Sequence, residues 1–426
     1  MAESKEQYMT SDAEKHTDAS HDLRGDIALG VFEEIREGAL GSVDDSKLLW
    51  KVDMRLMPLL CITYMLQSID KTTLGYAAVF DLREDTQLHG TQYSWLGSLF
   101  YLGYLFWEYP TSLLLQRLPV AKFMSGTVIV WGIVLMCHAA AHDFGGLAAA
   151  RTFLGMLEAS INPGTMLIFS MWYKRSEQPL RMGIWIGSAG IGYVLAGIAS
   201  FGIGHIGGAL SSWKYMFLIW GAVTASWGVV IYLVLPDNPV KAGFLSENER
   251  RGVIHRIREN ETGVENKHFK KTQFIEALTD LKTWLLFIFA VASNAPNGGL
   301  TTFQGLIIKG MGFSTLRTTL IQMPSGGVQM KITTNAFLLI GYCLGNFIGP
   351  FFFLAEQAPQ YELGVGMMFF CIGVQVLSIV GLWVLLWMRN KSRASANVSE
   401  QDVIEGYENG FRDLTDKENV HFKYVY

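Results

Sequence analysis

The stretch LQSIDKTTLGYA, residues 66–77, sets an acid and a base side by side inside an oily segment. Residues 56–66 carry no charge, and residues 74–80 are apolar again; between them stand Asp70 and Lys71. Moving outward, apolar blocks of this kind recur along the chain, each about 20 residues long, enough to cross a bilayer core as a helix. Of the 426 residues, 50% are hydrophobic and 17% are charged. A soluble chain of this length carries about 25% charged residues. The sequence therefore reads as an all-α polytopic membrane protein. Its net charge of −4 excludes little, because the charges sit in tails and loops.

Six spans are expected near 55–77, 93–115, 121–142, 147–172, 180–205 and 214–235, with three more near 283–308, 332–355 and 364–388. The domain reading is a disordered tail at 1–50, a six-span N-terminal bundle at 51–235, and a loop at 236–282 with a surface helix around Glu247–Arg258. A shorter C-terminal bundle at 283–388 and a tail at 389–426 follow. Residues 1–50 are polar with no early apolar core, so they do not read as a cleavable signal. Lys and Arg mark the cytoplasmic side of short loops. Arg117 and Lys122, and then Lys174, Arg175 and Arg181, put the N-tail, the long loop and the basic end RNKSR in the cytoplasm. A multi-pass monomer in the plasma membrane follows from this reading.

A charge at the bilayer centre costs about 2.5–3.5 kcal/mol on insertion scales, so such residues are usually paired or face a wet cavity. Neighbours on a helix point about 100° apart, so Asp70 and Lys71 need separate partners. In RTFLGMLEASINPG, Arg151, Gly155, Glu158 and Asn162 recur at spacings of four, three and four, which places them on one helical stripe. Arg151 is shallow enough to be a snorkelling end residue; Glu158 is deeper. Lys71 is the candidate for binding an anionic substrate, with Asn162 a further substrate contact, Arg151 a supporting charge, and Asp70 and Glu158 as carboxyls that load and release a proton. The alternative is a static charge cluster that locks the bundle. Glu108, in WEYP, reads as a supporting charge that pairs with a loop base. Pro296 and two glycines in SNAPNGGL break the seventh span beside Asn294 and Asn297, and such breaks line substrate paths. In GYCLGNFIGP, Gly341, Gly345 and Gly349 read as close helix packing, with Asn346 a further substrate contact. The glycines of the fifth span bury that helix among others. Cys61, Cys137, Cys343 and Cys371 read as packing residues without metal-site spacing. The nine histidines are scattered, and no nucleophile set or phosphate loop is present. An enzyme, a cofactor, a metal site and nucleic-acid binding are accordingly not expected.

SIDKTTLGYA, EYPTSLLLQRLPVAK, RTFLGMLEASINPG, WYKRSEQPLRMGIW, LPDNP with FLSENER, NGGLTTFQGLIIKGMGFS and GYCLGNFIGP occur in this order. Together they resemble the fungal allantoate permease branch of the anion:cation symporter family, within the major facilitator superfamily. The resemblance spans residues 45–390. It implies twelve spans, alternating access and proton-coupled uptake of organic anions such as allantoate, ureidosuccinate, small peptides or nicotinate. It implies proton and substrate roles for Asp70, Lys71 and Glu158. Many relatives carry Arg in the doublet; Lys71 departs from that and points to a point-charge contact.

The resemblance fails after TLIQMPSGGVQ. The chain passes near Gln329–Met330 to KITTNAFLLIGY, omitting most of span 8 and spans 9 and 10, about 75 residues at about 20 per span plus turns. That leaves nine clear spans and a polar stub at 315–329, hence 9–10 spans instead of 12. Nine crossings would put the basic C-tail outside, against its charge. A non-transporting product, acting as sensor or partner or simply degraded, is the competing reading.

Overall fold

The computed structural model describes residues 44–240, 242–258, 279–322, 336–358 and 360–394. Every long element is a helix. We number them α1 (Asp45–Val79), α2 (Gln92–Arg117), α3 (Val120–Cys137, continued by a 3₁₀ turn His138–Ala140), α4 (Phe144–Glu158), α5 (Ile161–Trp172) and α6 (Gln178–Ile203). There follow α7 (Ser212–Val234), α8 (Glu247–Arg258), α9 (Leu281–Gly310), α10 (Ala336–Ile348) and α11 (Glu362–Ala394). Helix is the form the lipid demands, since it satisfies every backbone N–H and C=O within the segment. Four helical stretches are long and apolar enough to cross a membrane on composition alone: Val120–Ala140, Gln178–Ile203, Ser212–Val234 and Glu362–Lys391. Helices α1 and α2 fall short of that test because they carry polar residues, and α4, at 15 residues, because it is short.

Asp44 caps α1 by accepting from the backbone N–H groups of Ser46 and Lys47, so the helix begins inside the region expected to be tail. At 35 residues, α1 is about 52 Å long, well beyond a hydrocarbon core of about 30 Å. Its charged first turns therefore stand clear of the lipid. There Lys51 meets Glu249 of α8 at 2.7 Å, and Asp53 receives both arms of Arg181 at 2.6 and 2.7 Å. We call this the near face and the side where α1 ends the far face.

Glycines fix how the later helices lie. A β-carbon on Gly341 would strike Ala290, one on Gly345 the backbone of Val291, and one on Gly349 the carbonyl of Ala295, so α10 runs parallel to α9 at close approach. The packing reading of these glycines holds. Gly75 against Thr301, and Gly305 against Val79, set α1 parallel to α9 as well. Helix α11 runs antiparallel, with Gln375 on the Ala292 carbonyl and Arg389 on Asp280 at 2.6 Å. The described helices thus start and finish at the near face. Nine crossings would not give that arrangement, and the basic end of α11 lies on the face where α1 begins. Of the stub at 315–329, Thr315–Ile321 is a short helix; the rest, the join near 329 and both tails lie outside the described residues.

Three expectations are corrected. The seventh span is not broken: α9 is one 30-residue helix through Pro296. Proline removes the N–H that would bond the carbonyl four residues back, and Gln375 donates to that carbonyl, Ala292, at 3.1 Å. The fourth span is not one rod, because α4 stops at Glu158 and α5 begins at Ile161. The fifth span is buried on one side only: Gly192 packs on the Met65 carbonyl, whereas Leu180, Ile184, Ile191 and Ile198 are exposed. Among the cysteines, Cys343 and Cys371 are buried packing residues, but Cys137 is exposed.

Candidate functional site

Helix geometry splits the acid–base doublet. Asp70 is fully buried, near Trp131 of α3 and Glu158 and Arg151 of α4. Lys71, half-buried, turns toward α2 and α10. Its Nζ lies 6.0 Å from the ring centroids of Phe100 and Tyr104 and 5.8 Å from that of Tyr342, whose hydroxyl accepts a long bond of 3.4 Å. Each such cation–ring contact is worth about 0.5–2 kcal/mol. The ammonium is therefore held by ring faces rather than by a direct ion pair.

Arg151 and Glu158 lie on α4, both buried. Between them a β-carbon on Gly155 would collide with the Phe100 carbonyl, so glycine lets α4 lie against α2 and brings the two charges inward. Arg151 does not snorkel. It is 3% exposed, its guanidinium sits 5.9 Å from the Phe100 ring, and its Nε has no hydrogen-bond partner. Both carboxylate oxygens of Asp70 and of Glu158 are likewise without a partner. Arg151 and Lys71 are close enough for both acids to feel their charge. Gln67 donates weakly to the Glu158 backbone carbonyl at 3.4 Å.

The other expected residues separate. Asn162, past the α4–α5 break, donates to the Tyr104 hydroxyl at 3.0 Å and so joins the aromatic group around Lys71; its Oδ1 is unpartnered. Glu108, one turn from Tyr104, meets no loop base: its Oε2 is buried without a partner. Asn297 and Asn346 are occupied with each other at 3.0 Å, and Asn346 also donates to the Tyr342 carbonyl and to Asn294. They brace α10 on α9 one turn from Tyr342. Sequence reasoning missed the aromatic group of Phe100, Tyr101, Tyr104 and Tyr342, and Gln67. Its signal was present in FYLGYLFWEYP, in the tyrosine of GYCLGNFIGP and in a glutamine one turn before Asp70.

Contacts between the early helices and α9–α10 run from mid-membrane to the far face. The Tyr93 hydroxyl donates to the Thr302 carbonyl at 2.7 Å, Ser98 to the Phe347 carbonyl at 2.6 Å, and Lys309 to the Val79 carbonyl and to Asp81. Two groups of helices, joined at one face with a charged polar centre between them, form the scaffold of a carrier. The family model described as Major Facilitator Superfamily matches residues 60–399. The chain belongs to that superfamily.

Its relatives include an uncharacterised transporter of Schizosaccharomyces pombe, 34% identical over 94% of this chain and 93% of the relative. The allantoate permease of Saccharomyces cerevisiae is 31% identical over 94% of this chain and 90% of its own. The thiamine pathway transporter of the same yeast is 41% identical over 67% of this chain and 55% of its own. A bacterial homologue of the human lysosomal transporter Spinster, solved in an inward-facing and occupied conformation, shares the fold with a TM-score of 0.52. It is 14% identical over 83% of this chain and 85% of its own. This major facilitator protein is thus a multi-pass membrane transporter, not an enzyme. The alignments also carry a length signal. For the S. pombe relative, 94% of 426 residues is about 400, against 476 aligned positions, so about 76 positions of the relative face no residue here.

Proposed function

We propose that the chain carries a small organic anion, of the allantoate, ureidosuccinate or nicotinate kind, together with protons by alternating access. The observation that carries the reading is the Lys71 ammonium, held by ring faces between α2 and α10 without a neutralising partner, one residue from a buried acid. An arriving carboxylate completes the solvation of Lys71. Asp70 and Glu158, held away from water, exchange protons with that event because burial and charge neighbours govern a carboxyl's protonation. A relative that bears the name allantoate permease supports the substrate class. The Lys and Arg of the near-face loops support a cytoplasmic near face, and we place the monomeric carrier in the plasma membrane.

The test is uptake of radiolabelled allantoate, and of a panel of other carboxylates, into proteoliposomes under an imposed proton gradient. Wild type accumulates at least one of them, Glu158→Gln loses accumulation but keeps exchange, and Lys71→Ala loses both. Accumulation by Glu158→Gln equal to wild type overturns the coupling. The second reading, a non-transporting chain, is favoured by the alignment positions that face no residue here. A version carrying the corresponding segment of a relative decides: transport by that version alone supports the second reading.

A further inference from the structure

Eight buried side-chain atoms of α1, α3 and α4 make no well-formed hydrogen bond within the protein, although the Trp131 indole approaches the Asp70 carboxyl and Gln67 approaches that of Glu158. They are Gln67 Oε1, both oxygens of Asp70, Trp131 Nε1, His138 Nε2, Arg151 Nε and both oxygens of Glu158. Leaving such atoms unmade costs far more than a single bond gains, and buried polar groups are nearly always satisfied by protein or by water. The atoms form a column. Trp131, Leu135 and His138, all 0% exposed, recur on α3 at spacings of four and three, so they share one stripe. Arg151 and Glu158 share the facing stripe of α4, and Gln67 and Asp70 the stripe of α1. His138 stands at the far-face end of α3, its ring stacked on Phe217 of α7 at 4.8 Å and its Nδ1 on the Val134 carbonyl. The charge of Arg151 reaches it from α4.

We propose that a file of bound water occupies this column and links the far face, through His138 and Arg151, to the Asp70–Glu158 pair. A buried water makes about three hydrogen bonds, so eight atoms accommodate about three waters. The set contains both donors, Trp131 Nε1 and Arg151 Nε, and acceptors, so each water finds two or more partners. Glu158, at the inner end of the file, feels the charge of Lys71, so the proton route ends beside the substrate's place. That route rests on the coupled-transport reading; the water file itself does not.

Synchrotron hydroxyl-radical labelling of the purified wild-type chain tests the file directly, because radicals form at bound water. Phe169 is equally buried and has no polar side-chain atom to hold water, so it serves as the waterless control. Relative to its intrinsic reactivity, Trp131 is expected to oxidise at least tenfold faster than Phe169; equal normalised rates overturn the file. His138→Phe and His138→Gln then test the route in proteoliposomes with allantoate. Gradient-driven accumulation should fall at least tenfold, with exchange of labelled for unlabelled allantoate within twofold of wild type. Wild-type accumulation in both variants overturns the route. If the wild-type chain itself accumulates nothing, the transport reading fails, and the labelling rates still decide the file.

Discussion

Lys71 illustrates how a single amine is kept both charged and available. The ring contacts at 5.8–6.0 Å are attractive but diffuse, and the single hydrogen bond to Tyr342 is long. Removing the amine should therefore matter far more than removing that hydroxyl. Lys71→Ala is expected to raise the half-saturating concentration of a transported carboxylate at least tenfold, about 1.4 kcal/mol. Tyr342→Phe should change it less than about threefold, since a bond of that length is weak. Concentration-dependent uptake measures both, and equal losses would mean that Tyr342, not Lys71, holds the anion. The acid and base were legible as an anomaly in an apolar run. Their division between two sides of α1 was legible too, since adjacent helical residues diverge. The occupation of Asn297 and Asn346 by each other was not, because nothing local to either sequence position records a neighbour 49 residues away.

Helix α9 carries a proline that sequence patterning reads as a break, and the repair comes from a different helix. With Gln375→Leu, the Ala292 carbonyl is left buried and unpaired, at a cost of about 1–3 kcal/mol. In a Pro296→Ala background the restored N–H serves that carbonyl, so the same Gln375→Leu change should cost much less. Thermal unfolding of the four proteins in detergent measures the coupling, and additive losses would refute the repair. Another inter-element tie lies at the far face, where Ser211 and the Trp213 indole at 2.8 Å donate to Asp85. The Ser211 hydroxyl, and then the indole, hold the Asp85 carboxyl below its ordinary value, outweighing burial. A depressed carboxyl contributes stability above its unfolded value of about 3.9 and loses it as pH falls through the lower folded value. Asp85→Asn should thus be less stable than wild type at neutral pH, and the gap should close between about pH 5 and about pH 2. Both facts escaped sequence reading for one reason: a helix shows its own period locally, whereas the partner of a loop acid is chosen by how helices are stacked.

For the molecule as a whole, the far-face closure sets which side is accessible. Its ion pair is the weaker part, since Asp81 is 68% and Lys309 34% exposed, and exposed pairs contribute about 0–1 kcal/mol. The Tyr93–Thr302 bond is buried and worth about 1 kcal/mol. Tyr93→Phe should therefore shift the population toward far-face opening more than Asp81→Ala, by about fivefold. Reaction rates of a cysteine placed near Thr301 with a membrane-impermeant thiol reagent report it, against a Cys137-free background. Because Arg389 bonds Asp280 beside the start of α9, tags placed before Asp44 and after Ala394 should be accessible from the same side. Asn397, in the acceptor sequence NVS at 397–399, should carry no glycan; opposite accessibility of the tags would overturn the antiparallel placement of α11.

Composition and the spacing of apolar blocks sufficed for helices, for their approximate spans and for the charged residues at the centre, because a bilayer imposes the same length and polarity rule on every segment wherever it packs. The deficit of residues late in the chain was likewise visible in order and length. The tertiary structure alone decided which side of α1 each charge faces, that α9 passes intact through Pro296, and that aromatic rings surround Lys71. Those outcomes depend on contacts between residues far apart in sequence, and such contacts are selected by the joint packing of several helices.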